Sequence, residues 1–390
     1  MKNTQNIKNT FYNLNLLKKQ NLFKLFNPSS LLLQNEKKQL KQIIKPIVHW
    51  NRSVSTPLPY TETQNDGVKN RNNFNKHDTR INLNKLNPWL ITGFIDGEGS
   101  FTVSKTGTSV KLELKVTQKE HSEKILHQIK EYFNCGSVVI DNRKTKTMKY
   151  RVSSLNDILT QIIPHLDKYP CLTSKFLNYQ DWKKIAIKMM NKEHLTLAGL
   201  NDINLIITKM NKGRLFEDKY NHCKISLGLT SNGEITKDLP ADWVQAFIDG
   251  EGSFYNYIAT SPSDKSKSKG KIYNLQRCDS SLEIGQNNHD VLVLLAIKKF
   301  FGGGYVKPKY NYSDIVECKN SRSLNRFVFR DTASIIQFLD NHPMLTRKQL
   351  DYLDWKKIVE LKNIGAHKTV EGLNLIKNII SQMNSTRSSN

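Results

Sequence analysis

One octapeptide, Phe-Ile-Asp-Gly-Glu-Gly-Ser-Phe, occurs twice in the 390-residue chain, at 94–101 and again at 247–254. Each copy sets two carboxylates, Asp96 and Glu98 or Asp249 and Glu251, among glycines (Gly97 and Gly99; Gly250 and Gly252). An apolar stretch precedes each copy and enters after a proline, Pro88 or Pro240, a residue suited to the first turn of a helix. The residues that follow, Ser-Phe-Thr-Val-Ser and Ser-Phe-Tyr-Asn-Tyr, favour extended structure. Each glutamate is therefore expected where a helix stops and a strand begins. A helix C-terminus already carries partial negative charge, so a carboxylate there calls for a cation, and metal binding is the chemistry suggested. An EF-hand is excluded, because the twelfth position counted from Asp96 or Asp249 is Gly107 or Thr260 instead of a glutamate. A structural turn accounts for one Asp-Gly pair but poorly for two identical copies. A glycosidase-type acid pair leaves the charge of the chain unexplained.

That charge is +24, from 59 Lys+Arg against 35 Asp+Glu. Self-repulsion of this size points to a polyanionic partner whose phosphates neutralise it. The longest aliphatic run, 291–297, is far shorter than a membrane span, so no membrane partner is expected. The five cysteines, Cys135, Cys171, Cys223, Cys278 and Cys318, are scattered and lack a C-x-x-C pair, which predicts neither a disulfide framework nor a zinc site.

Around the octapeptides the chain reads as two repeats. Residues 1–85 carry 15 Lys+Arg against 4 Asp+Glu, a net +11, and are expected to form a flexible extension. They resemble a transit peptide in being basic, but have no arginine before Arg52. The first repeat, 86–213, reads as helix, two strands, helix, two strands, then helices. Val110, Leu112, Leu114 and Val116 alternate with Lys111, Glu113, Lys115 and Thr117, giving a strand with one apolar and one mostly basic face. A helix burying Ile125, Leu126, Ile129 and Phe133 follows, then a second hairpin from 137–140 and 148–152. A further duplication supports the first: 11 of 17 positions are identical between 169–185 and 342–358, including both Pro-x-Leu-Thr-x-Lys segments. The octapeptides lie 153 residues apart and these segments 173, so the second repeat, 240–385, has gained twenty residues, expected in loops at 261–271 and between 307 and 325. Residues 214–239, with turn residues Ser231, Asn232 and Gly233, read as a linker holding a short hairpin, and 386–390 as a tail.

The segments Ile-Thr-Gly-Phe-Ile-Asp-Gly-Glu-Gly at 91–99 and Val-Gln-Ala-Phe-Ile-Asp-Gly-Glu-Gly at 244–252 resemble the signature of the LAGLIDADG homing endonucleases, in particular the two-repeat single-chain enzymes of mitochondrial group I introns. The resemblance covers about 86–384. It implies an α+β fold of two pseudo-symmetric αββαββα repeats forming a DNA-binding saddle, with the signature helices packed together through Gly93 and Ala246. Ala246 stands where the family has glycine, which allows slightly wider spacing. The two tryptophans lie out of register, Trp89 seven before Asp96 and Trp243 six before Asp249, so different neighbours are expected.

The function implied is a site-specific double-strand DNA endonuclease serving intron mobility in the mitochondrion. Such an enzyme would act as a monomer on a long pseudo-palindromic or asymmetric duplex site. Glu98 and Glu251 would each hold Mg2+, with Mn2+ as a substitute, and Asp96 and Asp249 would be structural. Catalytic positions carried over from the family are Gln118 and Gln286 after the second strand of each repeat, and Lys175 and Lys348, each lysine serving the active site of one repeat. The basic residue the family can place four after the glutamine is replaced by Ser122 and Asp290. The alternative is an RNA maturase binding its own group I intron, with or without DNA cleavage. A DNA-binding regulator on the same scaffold is expected to have lost an acid, and neither is lost. An intein is expected to begin with a nucleophile and end near His-Asn, whereas this sequence starts Met-Lys and ends Ser-Ser-Asn. The extension would be a transit peptide, an exon-derived leader or an intron-derived segment.

Overall fold

The structure, a computed structural model, describes residues 86–259, 277–307, 324–384 and residue 387. The basic extension, nearly all of both inserted loops and most of the tail lie outside the described residues.

Helix α1 (Pro88–Glu98) starts as its sequence dictates: Pro88 occupies the first helical position, where a missing N–H costs nothing, and the Asn87 side chain accepts from Trp89 N. Its counterpart, α6 (Ala241–Glu251), differs slightly from expectation. Pro240 is the N-cap instead of the first helical residue, and its carbonyl accepts from Val244 N. Both helices end at the glutamate just before the second glycine of the octapeptide. At Gly99 a Cβ would stand 2.5 Å from Ile95 O, and at Gly252 it would stand 2.6 Å from Ile248 O, so the chain turns from helix into strand only with no side chain there.

From these turns β1 (Gly99–Thr106) and β2 (Ser109–Lys119) form a hairpin, α2 (Glu123–Phe133) crosses behind, and β3 (Ser137–Asn142) and β4 (Thr147–Val152) complete a sheet ordered β1-β2-β4-β3. A helical segment with a π-helical stretch at Ile158–Ile162 follows, then α3 (Lys175–Met190) and α4 (Leu197–Lys209). In the second repeat, β5 (Gly252–Ala259), β6 (Arg277–Asn287), α7 (Val291–Phe301), β7 (Tyr305–Lys307) and β8 (Leu324–Phe329) form a sheet ordered β5-β6-β8-β7, with α8 (Thr332–Asn341), α9 (Lys348–Asn363) and α10 (Val370–Ile380) after it. All pairings are antiparallel, and the expected mixed architecture of two like halves is present.

Each repeat buries its own core between helices and one sheet face. The alternation read in β2 is real: Val110, Leu112, Leu114 and Val116 are buried. The duplication reaches single contacts, since Tyr179 OH donates to Asp167 at 2.6 Å and Tyr352 OH to Asp340 at 2.6 Å, with Lys183 and Lys356 pairing with the same acids.

The stretch 214–239 is more structured than a connector. It carries α5 (Phe216–Ser226), whose Tyr220 and Cys223, with Leu227, Ile235 and Leu239 beyond it, belong to the core of the second repeat. The expected hairpin is reduced to a single bridge between Leu229 and Ile235. The helix escaped sequence reading because its few apolar side chains form no continuous stripe along a polar segment.

α1 and α6 pack directly on each other. A Cβ at Gly93 would lie 2.7 Å from Ala246 Cβ and 2.7 Å from Trp243 O, so the alanine in the second helix already fills the space and no wider spacing opens. At Gly97 the nearest atom, Gly250 Cα, is 3.6 Å away, an ordinary contact. Gly93→Ala is therefore expected to destabilise by about 1–3 kcal/mol, the usual cost of overpacking, while Gly97→Ala leaves thermal unfolding nearly unchanged. Thermal denaturation of both variants checks the contrast.

Candidate active site

Because α1 and α6 end side by side, Glu98 and Glu251 meet at the interface. A Cβ at Gly250 would lie 3.6 Å from Glu98 Cγ, and one at Gly97 would lie 3.9 Å from Glu251 Cγ, so each glutamate leans over the end of the other repeat's helix. Partial burial raises the Glu98 carboxyl above its ordinary range, and the Glu251 charge raises it further, against the pull of Lys348 and Lys175. Desolvation raises the Glu251 carboxyl as well, although the residue keeps an exposed edge, and Lys175, Lys348 and a hydrogen bond from Gln286 oppose it.

Spacing groups the candidates by repeat, and the structure regroups them across the repeats. One cleft is lined by Glu98 and Gln118 of the first repeat with Gly250 and Lys348 of the second. The other joins Glu251, Gln286 and Asp290 of the second with Gly97 and Lys175 of the first. Their volumes, about 230 and 370 Å³, hold a hydrated ion beside a phosphate group, since a liquid water takes about 30 Å³.

The lysines stand differently from free point charges. Lys175 Nζ donates to Ile95 O at 3.0 Å and Gly97 O at 3.2 Å, and Lys348 Nζ to Ile248 O at 3.3 Å and Gly250 O at 3.0 Å. Each ammonium thus neutralises the negative end of its own repeat's signature helix and, in the same position, lines the cleft of the other repeat's glutamate. Burial lowers the Lys348 ammonium, against Asp249, Glu98 and Glu251, which favour its charge.

The lysines open α3 and α9, and the turns leading into these helices are held by side chains from both repeats. Asp96 accepts from Leu172 N at 2.7 Å, Thr173 N at 3.3 Å and Thr173 Oγ1 at 2.6 Å. Asp249 accepts from Leu345 N at 2.6 Å, Thr346 N at 3.1 Å and Thr346 Oγ1. Across the interface, Asp290 accepts from Ser174 N at 2.8 Å and Ser174 Oγ at 3.0 Å, and Ser122 Oγ accepts from Arg347 N at 3.1 Å. Asp290 and Ser122, which replace the family's basic residue, therefore anchor the residue just before the lysine helix of the other repeat. Their residue types at helix starts were the available signal, but nothing in the sequence joins positions 225 apart. Burial opposes ionisation of Asp290, but His289, Ser174 N–H and Cys223 outweigh it and hold the carboxyl below its usual range.

The tryptophans do anchor different neighbours. Trp89 meets Tyr169 edge-on with ring centroids 5.5 Å apart, whereas Trp243 stacks on Phe247 and donates Nε1–H to Asp96 at 2.8 Å.

A cation fits this donor set in a restricted way. Among the described residues no group of three or more His, Cys, Asp or Glu side chains comes together, which disfavours zinc-type ligation. One glutamate in each cleft, with few other protein oxygens, suits a hard cation that keeps several waters. Gln118 Nε2 is buried with no hydrogen-bond partner in the Glu98 cleft, a donor that a bound oxygen would satisfy.

The sequence model of the family described as LAGLIDADG endonuclease matches residues 91–186 and 246–359, more than half of the chain and once per repeat. The chain belongs to that family. Among curated relatives, the Neurospora crassa "Probable intron-encoded endonuclease 3" is 29% identical over 319 residues, covering 79% of this chain and 56% of the relative. The Saccharomyces cerevisiae "Uncharacterized mitochondrial protein RF1" is 26% identical over 341 residues, covering 82% of this chain and 64% of the relative. The chain thus spans less than two thirds of either relative's length. The I-SmaMI LAGLIDADG homing endonuclease, solved bound to cleaved DNA, superposes with a TM-score of 0.62 at 28% identity, over 78% of this chain and 98% of its own. The same endonuclease bound to uncleaved DNA in the presence of calcium gives 0.61 at 27% identity, over 77% and 99%. This LAGLIDADG chain therefore shares its two-sheet fold with DNA-bound members.

Two sets of substitutions should move stability in opposite directions. A carboxyl whose folded pKa is raised stabilises the fold below its unfolded pKa and loses that contribution as pH rises through the folded pKa, so at neutral pH the ionised glutamates are a burden. Glu98→Gln and Glu251→Gln should raise the melting temperature of the metal-free protein, Glu251→Gln less because solvent screens its exposed edge. Burial raises the Asp96 carboxyl as well, but Asp96 accepts four hydrogen bonds, and in Asp96→Asn an amide N–H2 would face one of those donors, so the melting temperature should fall, with a stability loss of about 1–3 kcal/mol. Thermal scans at pH 7 in chelator test both.

Proposed function

We propose that this chain is a site-specific endonuclease that hydrolyses one phosphodiester bond in each strand of a DNA duplex with a divalent cation, Mg2+ or Mn2+ as substitute, acting as a monomer on a long pseudo-palindromic or asymmetric site. The observation that carries the reading is the pair of composite clefts, related by the duplication and each joining a glutamate and glutamine of one repeat to the lysine of the other. Two like sites in one chain match the two strands of a duplex. The mitochondrial relative, the intron-encoded one and the DNA-bound neighbours support a role in intron mobility in the mitochondrion.

In this reading Glu98 and Glu251 hold the cation through their carboxylates. Bound there, a divalent cation supplies Lewis-acid stabilisation of the attacking and leaving oxygens and lowers the pKa of water. Gln118 and Gln286 present amides that orient water or a phosphate oxygen. Lys175 and Lys348 hold positive charge where negative charge develops, and their bonds to the helix-end carbonyls keep them from swinging away. Asp96 and Asp249 act on the fold by fixing the lysine helices. The maturase reading rests on the same scaffold, and the presence of both acids favours the nuclease.

The test is incubation of the protein with a randomised duplex library in Mg2+, followed by sequencing of the ends. Discrete double-strand cuts support the endonuclease, while intron RNA binding with no cut at any duplex would replace it by the maturase. Glu98→Gln and Glu251→Gln should bind the site as well as wild type or better, yet lose orders of magnitude in cutting. The composite clefts add a sharper expectation: Lys175→Met should slow nicking of the strand that Glu251→Gln silences, and Lys348→Met that of the strand silenced by Glu98→Gln. Strand-specific end labels decide it, and pairing within a repeat instead of across would refute the assignment.

A further inference from the structure

Helix α5, in the segment between the repeats, reaches only one of the two clefts. Its Lys219, His222 and Cys223 are spaced three and four positions apart and so share one face of the helix. Lys219 lines the cleft that holds Glu251, Gln286 and Lys175. His222 stacks on Phe176, the residue after Lys175, with ring centroids 4.8 Å apart and planes 6° from parallel. Cys223 Sγ donates to Asp290 at 3.2 Å, and Asp290 in turn holds Ser174, the residue before Lys175. The connecting helix is thus fixed against both chain neighbours of the cleft lysine.

The Glu98 cleft is built without it, since no residue of 214–239 lines that cleft. There the residue after Lys348 is Gln349, whose side chain accepts from Met344 N at 2.9 Å within its own repeat. Arg387, a further cation of that cleft, is taken up by Asp351 and Asp354.

Lys219 has no such partner. It is half-buried, and burial lowers its ammonium while the charge of Asp290 favours it. Asp290 does not pair with it, because the oxygens of that acid are occupied by Ser174 N–H and O–H, Cys223 and His289. Among the described residues no carboxylate lies within ion-pair distance of the Lys219 ammonium. A cation fixed on a cleft wall and left unpaired there is completed by an anion that enters the cleft. On a DNA strand that anion is a backbone phosphate, which a lysine binds as a point charge.

We propose that Lys219 binds a phosphate of the strand cut at the Glu251 cleft, so that the segment between the repeats is part of one active site and not of the other. The inference rests on the endonuclease reading and adds a phosphate contact from outside both repeats, which makes the two cuts unequal in what they require.

The test is nicking by the full chain, in Mg2+ with protein in saturating excess, of a duplex recovered from the randomised library and labelled on one strand at a time. Lys219→Met should slow the strand that Glu251→Gln silences by about ten-fold or more, the usual worth of a hydrogen bond to a charged group. The other strand should be cut at the wild-type rate, which also shows that the variant folds and binds. A neutral methylphosphonate, placed in turn at each phosphate flanking the affected cut, should find one position that costs wild type the same factor and costs Lys219→Met nothing more. Slowing that is not confined to that strand, no slowing at all, or a methylphosphonate penalty equal in wild type and variant at every position would overturn the inference and leave the endonuclease reading standing. A wild-type protein that cuts no duplex would overturn both.

Discussion

Two helices end against each other with their negative poles and two glutamates in one small volume, and most of the surrounding structure answers that charge. Gly93 leaves α1 and α6 no room for anything between them, so the approach cannot relax. Relief comes from two directions. Lys175 and Lys348 place ammonium groups on the terminal carbonyls, and the turns leading into α3 and α9 present N–H groups to Asp96 and Asp249. Cationic side chains thus sit on the negative poles of the signature helices. The residual charge at Glu98 and Glu251 is what the fold leaves for a cation.

The same arrangement makes each cleft a joint product of both repeats. Asp290 and Ser122 reach across the interface to anchor the residue just before the lysine helix of the other half, and Trp243 reaches across to Asp96. The clefts are alike in their glutamate, glutamine and lysine but unequal around them. A buried carboxylate held by His289 lines one, while a neutral hydroxyl stands at the equivalent place in the other. Gln286 is bonded to Glu251, whereas the Gln118 amide nitrogen has no partner.

The duplicated halves agree where they are buried and differ where they are open. Tyr179 and Tyr352, Trp182 and Trp355, and Phe101 and Phe254 fill matching core positions, because each interior must solve the same packing problem between one sheet and its helices. The outward rows of β2 and β6 have no such obligation, and there Lys111, Glu113 and Lys115 stand where Asp279, Ser281 and Glu283 stand in the other repeat.

The sequence by itself determined a good deal of this. The repeated octapeptide fixed two helix-to-strand turns through Gly99 and Gly252, since only a missing side chain lets those turns close, and the alternation from Val110 to Val116 fixed a sheet with one buried face. The carboxylates, glutamines and lysines of the candidate site were also nameable from spacing and family signature. Their grouping was not. Spacing orders residues within a repeat, whereas the clefts form between repeats, and only the packing of α1 on α6 decides that Glu98 shares a cleft with Lys348 instead of Lys175. The same is true of Ser122, Asp290 and Trp243, whose partners lie 225, 116 and 147 positions away. Helix α5 was hidden for a different reason: its few buried side chains belong to a core assembled from distant segments, so no local periodicity announces it. Local sequence sets backbone preference and face, but which faces meet is a property of the assembled chain.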